Sequence, residues 1–71
     1  MNISKIRNDI KSIKGRMLHF KYNGARNQVE DFYGMVENTY NYVFTIRIQE
    51  KNCIKSFSYN DVITKSLQFF L

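Results

Sequence analysis

Residues 29–48 (VEDFYGMVENTYNYVFTIRI) constrain the fold of this chain more than any other stretch. Residues 44–48 alternate apolar and polar side chains, which is the period of a strand buried on one face. Residues 32–37 repeat the alternation, with a turn over residues 38–42 between the two strands. Gly34 interrupts a strand pattern, so we expect it to mark a bend or bulge that curls the sheet.

Three further segments have strand character. Residues 16–22 and 54–59 alternate apolar and polar positions, and residues 63–71 form an apolar C-terminal strand with few charges. Asn60 and Asp61 separate the last two, and Asp61 is suited to an Asx turn or a single helical turn. Five short strands with turns about every ten residues argue for a small barrel or sandwich.

The N-terminus has a different period. Residues 2–14 predict an amphipathic helix, capped by Asn2 or Ser4 and ending before Gly15. Isoleucine is a modest helix former, so this apolar stripe must be buried, either on the chain's own barrel or on a second copy. The stripe consists of Ile3, Ile6, Ile10 and Ile13.

Length and composition limit the classes of protein. A chain of 71 residues predicts one domain, 1–71, with the helix over 2–14 and the five-stranded barrel over 16–71. So small a core is thinly stable, which together with the apolar tail predicts a homo-oligomer. The single cysteine, Cys53, and the absence of an apolar leader or membrane-length run predict a cytoplasmic protein.

The sequence predicts no catalytic site. Cys53 and His19 are the residues closest to nucleophile or base chemistry, and they lie on different predicted strands. We expect His19 on a strand where helix and barrel meet, and Cys53 as a small, partly buried apolar group. A single histidine and a single cysteine assemble no metal cluster, and the three glycines are too far apart for a phosphate loop. We therefore predict a protein that is not an enzyme, with no cofactor and no metal.

Charge is distributed unevenly along the chain. The net charge is +5, and residues 1–26 hold seven basic residues against Asp9 alone. Such asymmetry is typical either of a face that binds an anionic partner or of a solvated face that maintains solubility. The candidates for anion binding are Arg7, Lys11, Lys14, Arg16, His19, Lys21 and Arg26.

Aromatic residues offer a second element of nucleic-acid recognition. Tyr40, Tyr42 and Tyr59 are candidates for stacking on unpaired bases, as small barrels do with single strands. The alternative is that these tyrosines cap the ends of the barrel and form hydrogen bonds through their hydroxyls.

Three motifs, in the same order along the chain, resemble the Veg proteins of Gram-positive bacteria. They are GRMLHFKYNG at 15–24, GMVENTY at 34–40 followed by Val43-Phe44, and SYNDVIT at 58–64. The corresponding Veg patterns are G-K-R-[LM] ending in N-G, then G-x-[LV]-x-x-T-Y-P-x-V-F, then S-Y-x-D-V-L-T. Asn41 stands where the family usually has proline, and the loop after Gly24 is less basic than in Veg relatives.

The resemblance implies an SH3-like small β-barrel with an N-terminal helix. It also implies a non-enzymatic regulator that stimulates biofilm formation by contacting a transcription regulator, relieving repression of matrix genes. Two hypotheses therefore stand side by side: a regulator that acts through protein contact, and a small barrel that binds single-stranded nucleic acid through its basic N-terminal face.

Overall fold

The computed structural model describes residues 3–24 and 28–71. Within these residues the chain forms two helices and five strands. They are, in chain order, α1 (Ile3–Ser12), β1 (Met17–Asn23), β2 (Val29–Thr39), β3 (Val43–Ile48), β4 (Cys53–Ser58), α2 (Tyr59–Ile63) and β5 (Leu67–Phe70). Neither of these helices is long and apolar enough to cross a lipid bilayer.

All five strands belong to one antiparallel sheet with the order β4-β3-β2-β1-β5. The long central strand β2 pairs with a neighbour on each side: its residues 29–35 pair with β1, and its residues 34–39 pair with β3. The sheet is open between β4 and β5 over the residues described. The mainly β fold with an N-terminal helix is thus confirmed, whereas the expected closed five-stranded barrel is found as an open sheet.

The open sheet is strongly curled. In a flat sheet β1 and β4, three positions apart, would be about 14 Å from each other. The rings of Tyr22 on β1 and Phe57 on β4 instead meet with centroids 5.3 Å apart. The curl encloses the apolar residues of one strand face, as the alternation predicts. The buried core consists of Ile10, Ile13, Leu18, Phe20, Phe32, Val36, Phe44, Ile46, Ile48, Phe57, Tyr59 and Leu67.

Helix α1 packs on its own sheet. Ile10 and Ile13 are buried in the core, and Ile3 and Ile6 are partly buried against it. This burial answers the question that the isoleucine stripe raised, because the apolar side of the helix is covered within one chain. Gly15 follows with φ at +85° and donates its N–H to the carbonyl of Val36, which fixes the helix end against β2.

Of the two predicted helix caps, Asn2 stays a prediction and Ser4 was wrong. Asn2 lies outside the described residues, and Ser4 lies inside α1 rather than before it.

The C-terminal part differs from the prediction. Ile63, expected to begin the fifth strand, instead ends helix α2, and the strand begins at Leu67. The reason is a capping box: the Ser58 hydroxyl accepts the N–H of Asp61, and the Asp61 carboxylate accepts the N–H of Ser58. Asp61 does create the single helical turn that the sequence allowed, and Tyr59 becomes its first residue instead of the last residue of a strand.

The expected bulge is present but displaced. The register between β2 and β3 shifts between Val36 and Asn38, two residues after Gly34. Gly34 is required for a different reason. A Cβ at this position would come within 2.6 Å of the Ile46 Cγ2 and 3.0 Å of the Arg47 carbonyl oxygen. Close approach of β3, rather than the bulge, therefore excludes a side chain at this position.

Candidate binding surfaces

The outer side of the sheet carries a group of exposed apolar and aromatic residues, which we call the outer-face cluster. Its members are cross-strand neighbours: Met17 pairs with Met35, and His19 lies between Tyr33 on β2 and Phe70 on β5. Met17, Tyr33 and Phe70 are each about half exposed, at 49%, 52% and 47%. The cluster is thus Met17, His19, Tyr33, Met35 and Phe70.

The imidazole of His19 orders this cluster. Its ring stacks on Tyr33 with centroids 5.1 Å apart and lies 5.3 Å from the Phe70 ring. Its Nε2 is 3.2 Å from the Asp31 carboxylate, which fixes the plane of the ring. Three rings therefore form a continuous row across β2, β1 and β5. His19 is a strand residue, as expected, but the row runs from β2 to the edge strand β5 on the face opposite the core into which α1 packs, so the expectation that His19 lies at the helix boundary was wrong.

Charges on this side of the sheet are largely balanced. Asp31 faces both His19 and Lys21, which are its neighbours on β1. Arg47 forms a two-pronged ion pair with Glu37 at 3.0 Å for each contact. The hydrogen bond and the charge of Glu37 raise the pKa of Arg47 above its ordinary value. The outer face therefore combines exposed rings with little net charge.

Helix α1 has the opposite character. The segment from Ile3 to Arg16 carries one acidic residue, Asp9. The three ion pairs found among the described residues, His19–Asp31, Arg47–Glu37 and Lys55–Glu30, leave the cations of this segment out. The cations are Lys5, Arg7, Lys11, Lys14 and Arg16, and we call them the helix cations.

The tyrosine candidates lie near one of these cations. Tyr40 and Tyr42 are exposed at 54% and 74%, whereas Tyr59 is completely buried and donates its hydroxyl to the Tyr40 carbonyl at 2.8 Å. Tyr59 is therefore not a stacking residue, and it fulfils the alternative role of a capping tyrosine. Burial raises the pKa of Tyr59, and the positive charge of Arg7 partly opposes this effect, so Arg7 acts on the side chain that is bonded to the Tyr40 carbonyl.

The structure thus divides the predicted anion-binding residues into two groups. Arg7, Lys11, Lys14 and Arg16 belong to the α1 end of the molecule, whereas His19 and Lys21 lie on the outer face next to Asp31. Arg26 lies outside the described residues. Only the first group has no acidic partner among the ion pairs of the described residues.

Other features supply little chemistry. Cys53 is partly buried against the core, as predicted. A shallow cavity of about 150 Å³ is lined by Glu30, Asp31, Phe32, Ile48, Glu50 and Lys51. Within the described part of the chain, no group of three or more potential metal ligands comes together.

Sequence reasoning missed most of the outer-face cluster. It named His19, but for its charge, and it did not name Tyr33, Met35 or Phe70 as site residues. The available signal was the presence of apolar residues on both parities of β2 and of the C-terminal tail. Alternation alone cannot tell which side will be covered, and here the side opposite the core is left uncovered.

A family model described as "Biofilm formation stimulator VEG" matches residues 1–69 of the 71-residue chain. The chain belongs to the VEG family. This match confirms the resemblance drawn from the three motifs. A search of curated proteins finds no match.

The geometry explains what two of the VEG motifs do in this chain. In the last motif, Ser58 and Asp61 form the capping box of α2 around the buried Tyr59. In the middle motif, the Tyr40 N–H donates to the Val43 carbonyl at 2.8 Å and closes the turn between β2 and β3. These VEG motif residues therefore maintain the fold and leave the outer-face cluster and the helix cations as the surfaces available for binding.

Proposed function

We propose that this chain is a non-enzymatic regulator that stimulates biofilm formation by contacting a transcription regulator through its outer-face cluster. Membership of the VEG family supports the biofilm role. The observation that carries the choice of surface is the exposed row of Tyr33, His19 and Phe70. Contiguous exposed apolar groups with aromatic side chains are typical of protein-binding surfaces.

The charges favour protein over nucleic acid at this surface. Single strands also stack on aromatic residues, but their phosphates need nearby uncompensated cations. Here the Asp31 carboxylate is bonded to His19 and lies opposite Lys21, so the row has no cationic surplus. A protein partner that places an apolar side chain on this surface does not need cations there.

Capture of partners from cells of the source organism tests this proposal. Tagged wild type and Tyr33→Ala are compared after nuclease treatment, with Tyr42→Ala as the matched control because it removes an exposed tyrosine elsewhere. We expect wild type and Tyr42→Ala to retain a transcription regulator and Tyr33→Ala to lose it. Equal capture by all three proteins, or loss with Tyr42→Ala alone, would contradict the assignment of this surface.

A second function, binding of single-stranded nucleic acid, is favoured by a separate observation. The helix cations have no ion pair among the described contacts, and the charge of Arg7 acts on Tyr59, whose hydroxyl is bonded to the carbonyl of the exposed Tyr40. Unpaired cations next to exposed rings are the combination that binds phosphates and stacks bases. This surface is distinct from the outer-face cluster.

A salt titration with a fluorescent single strand examines this second function. We expect affinity to fall with salt, and Lys11→Glu/Lys14→Glu to bind at least tenfold more weakly than wild type. The control Lys51→Glu/Lys65→Glu makes the same change in net charge outside the helix cations and should bind nearly as wild type does. An equal loss of affinity in both double variants would mean that only the net charge attracts the single strand. Binding that does not depend on salt would contradict a role of the helix cations in binding nucleic acid.

A further inference from the structure

The open sheet ends in two strand edges, β4 and β5. Among the described residues, β4 pairs with β3 on one side and β5 pairs with β1 on one side, so each leaves a row of backbone groups without a strand partner. Exposed edges of this kind pair readily with another strand, and proteins usually protect them with charged side chains.

On the outer side of the sheet, neither edge strand carries a charged side chain. Residues 67–71 (LQFFL) contain no charged side chain. β4 contains one, Lys55, whose Nζ is bonded to Glu30 of β2 at 3.3 Å. Lys55 also lies opposite Ile46, on the strand face that lines the core, and is therefore held on the inner side of the sheet.

The outward-facing residues at the two edges match each other. Ile54 on β4 lies opposite Arg47 on the outer side and is 50% exposed, and Phe70 on β5 lies opposite His19 and is 47% exposed. Aromatic and β-branched residues on neighbouring strands are a favourable cross-strand pair. Two copies joined through these edges would place apolar beside apolar, with no like charges opposed.

We infer that β4 of one copy pairs with β5 of the next, which builds a closed assembly of identical chains. This arrangement uses both edges of every copy, whereas pairing of β5 with β5 would leave each β4 edge open. A head-to-tail contact of two different edges generates rings when its rotation closes. The assembly would also supplement the small core of a 71-residue chain.

Light scattering and native mass spectrometry of the full chain at high micromolar concentration test this inference. We expect wild type to form a discrete oligomer, and Ile54→Lys and Phe70→Glu each to dissociate into monomers. The double variant Ile54→Lys/Phe70→Glu should reassemble, because a cation on one edge then faces an anion on the next copy. Tyr33→Lys is the control, since it adds a charge to the same outer face away from both edges.

Several outcomes would overturn the inference. A monomeric wild type would do so directly. A dimer sensitive to Phe70→Glu but not to Ile54→Lys would indicate pairing of β5 with β5, and dissociation by Tyr33→Lys would indicate association through the outer-face cluster. Amide spectra that match those of wild type establish that each variant is folded, and a variant that fails to fold is replaced by Ile54→Ser or Phe70→Ser.

Discussion

Gly34 lies where β2 passes from its pairing with β1 to its pairing with β3. In Gly34→Ala, the new methyl group would collide with buried Ile46 and with the backbone of Arg47. We expect a loss of about 1–3 kcal/mol from overpacking, which exceeds the gain of about 0.4–1 kcal/mol from a less flexible unfolded chain. Urea unfolding measures the difference. Gly24→Ala, where a Cβ meets only ordinary contacts, should be neutral or slightly stabilising.

Tyr59 gives the fold a dependence on alkaline pH. Burial raises its pKa above the ordinary 10.0, so the folded chain holds the phenolic proton more tightly than the unfolded chain does. The resulting stability is complete below pH 10.0 and declines as pH rises from there through the folded pKa. Tyr59→Phe should lose the hydroxyl bond to Tyr40, worth about 1 kcal/mol, and decline less steeply above pH 10.0. Tyr42→Phe should follow wild type; a Tyr59→Phe curve parallel to wild type would refute the argument.

At the scale of single residues, the sequence identified Gly34 and Tyr59 as residues with a particular role, but it did not determine which role each has. Gly34 stands out by interrupting a strand, but its role depends on how closely β3 approaches, and only the register reveals that. The sequence left Tyr59 with two roles, and its burial decides between them. The apolar residues on both parities of β2 and of the C-terminal tail did not single out Tyr33 and Phe70, because these two rings matter for lying on either side of His19 across three strands.

Among the elements, α2 depends most on two polar residues. Its five residues form a helix too short to be stable alone, and the reciprocal bonds of Ser58 and Asp61 satisfy its first N–H groups. Ser58→Ala should cost about 1 kcal/mol, as loss of an N-cap does elsewhere. The control Ser56→Ala, exposed on β4, should change stability by less than about 0.5 kcal/mol. Thermal and urea unfolding check both, and equal effects would mean that the capping box contributes little.

Elements whose apolar residues repeat at a regular period were predictable, whereas for α2 the sequence allowed a helical turn at Asp61 without indicating that this turn would reach Ile63. The isoleucine spacing predicted α1, and alternation predicted β1 to β4 with boundaries that shift by up to three residues. Ile63 was assigned to the last strand because its parity matches that of Leu67. The capping box overrides this parity, since it makes residues 59–63 a helix that ends at Ile63, and a turn then separates Ile63 from the strand that begins at Leu67.

On the scale of the whole molecule, the surfaces have divided roles. Charge is concentrated on α1 and its C-terminal extension, and exposed rings are concentrated on the outer side of the sheet. The sequence predicted the concentration of charge, because the helix cations lie close together in the chain. It could not predict the second, because the three rings come from residues 19, 33 and 70 and meet only through strand pairing.

The most direct test of the outer-face cluster is a biofilm assay in cells that lack the native protein. Wild type, Tyr33→Ala and Tyr42→Ala are expressed at equal levels, verified by immunoblot. We predict that wild type and Tyr42→Ala restore biofilm formation and that Tyr33→Ala, although folded, does not. Full restoration by Tyr33→Ala, or failure of Tyr42→Ala alone, would contradict the account.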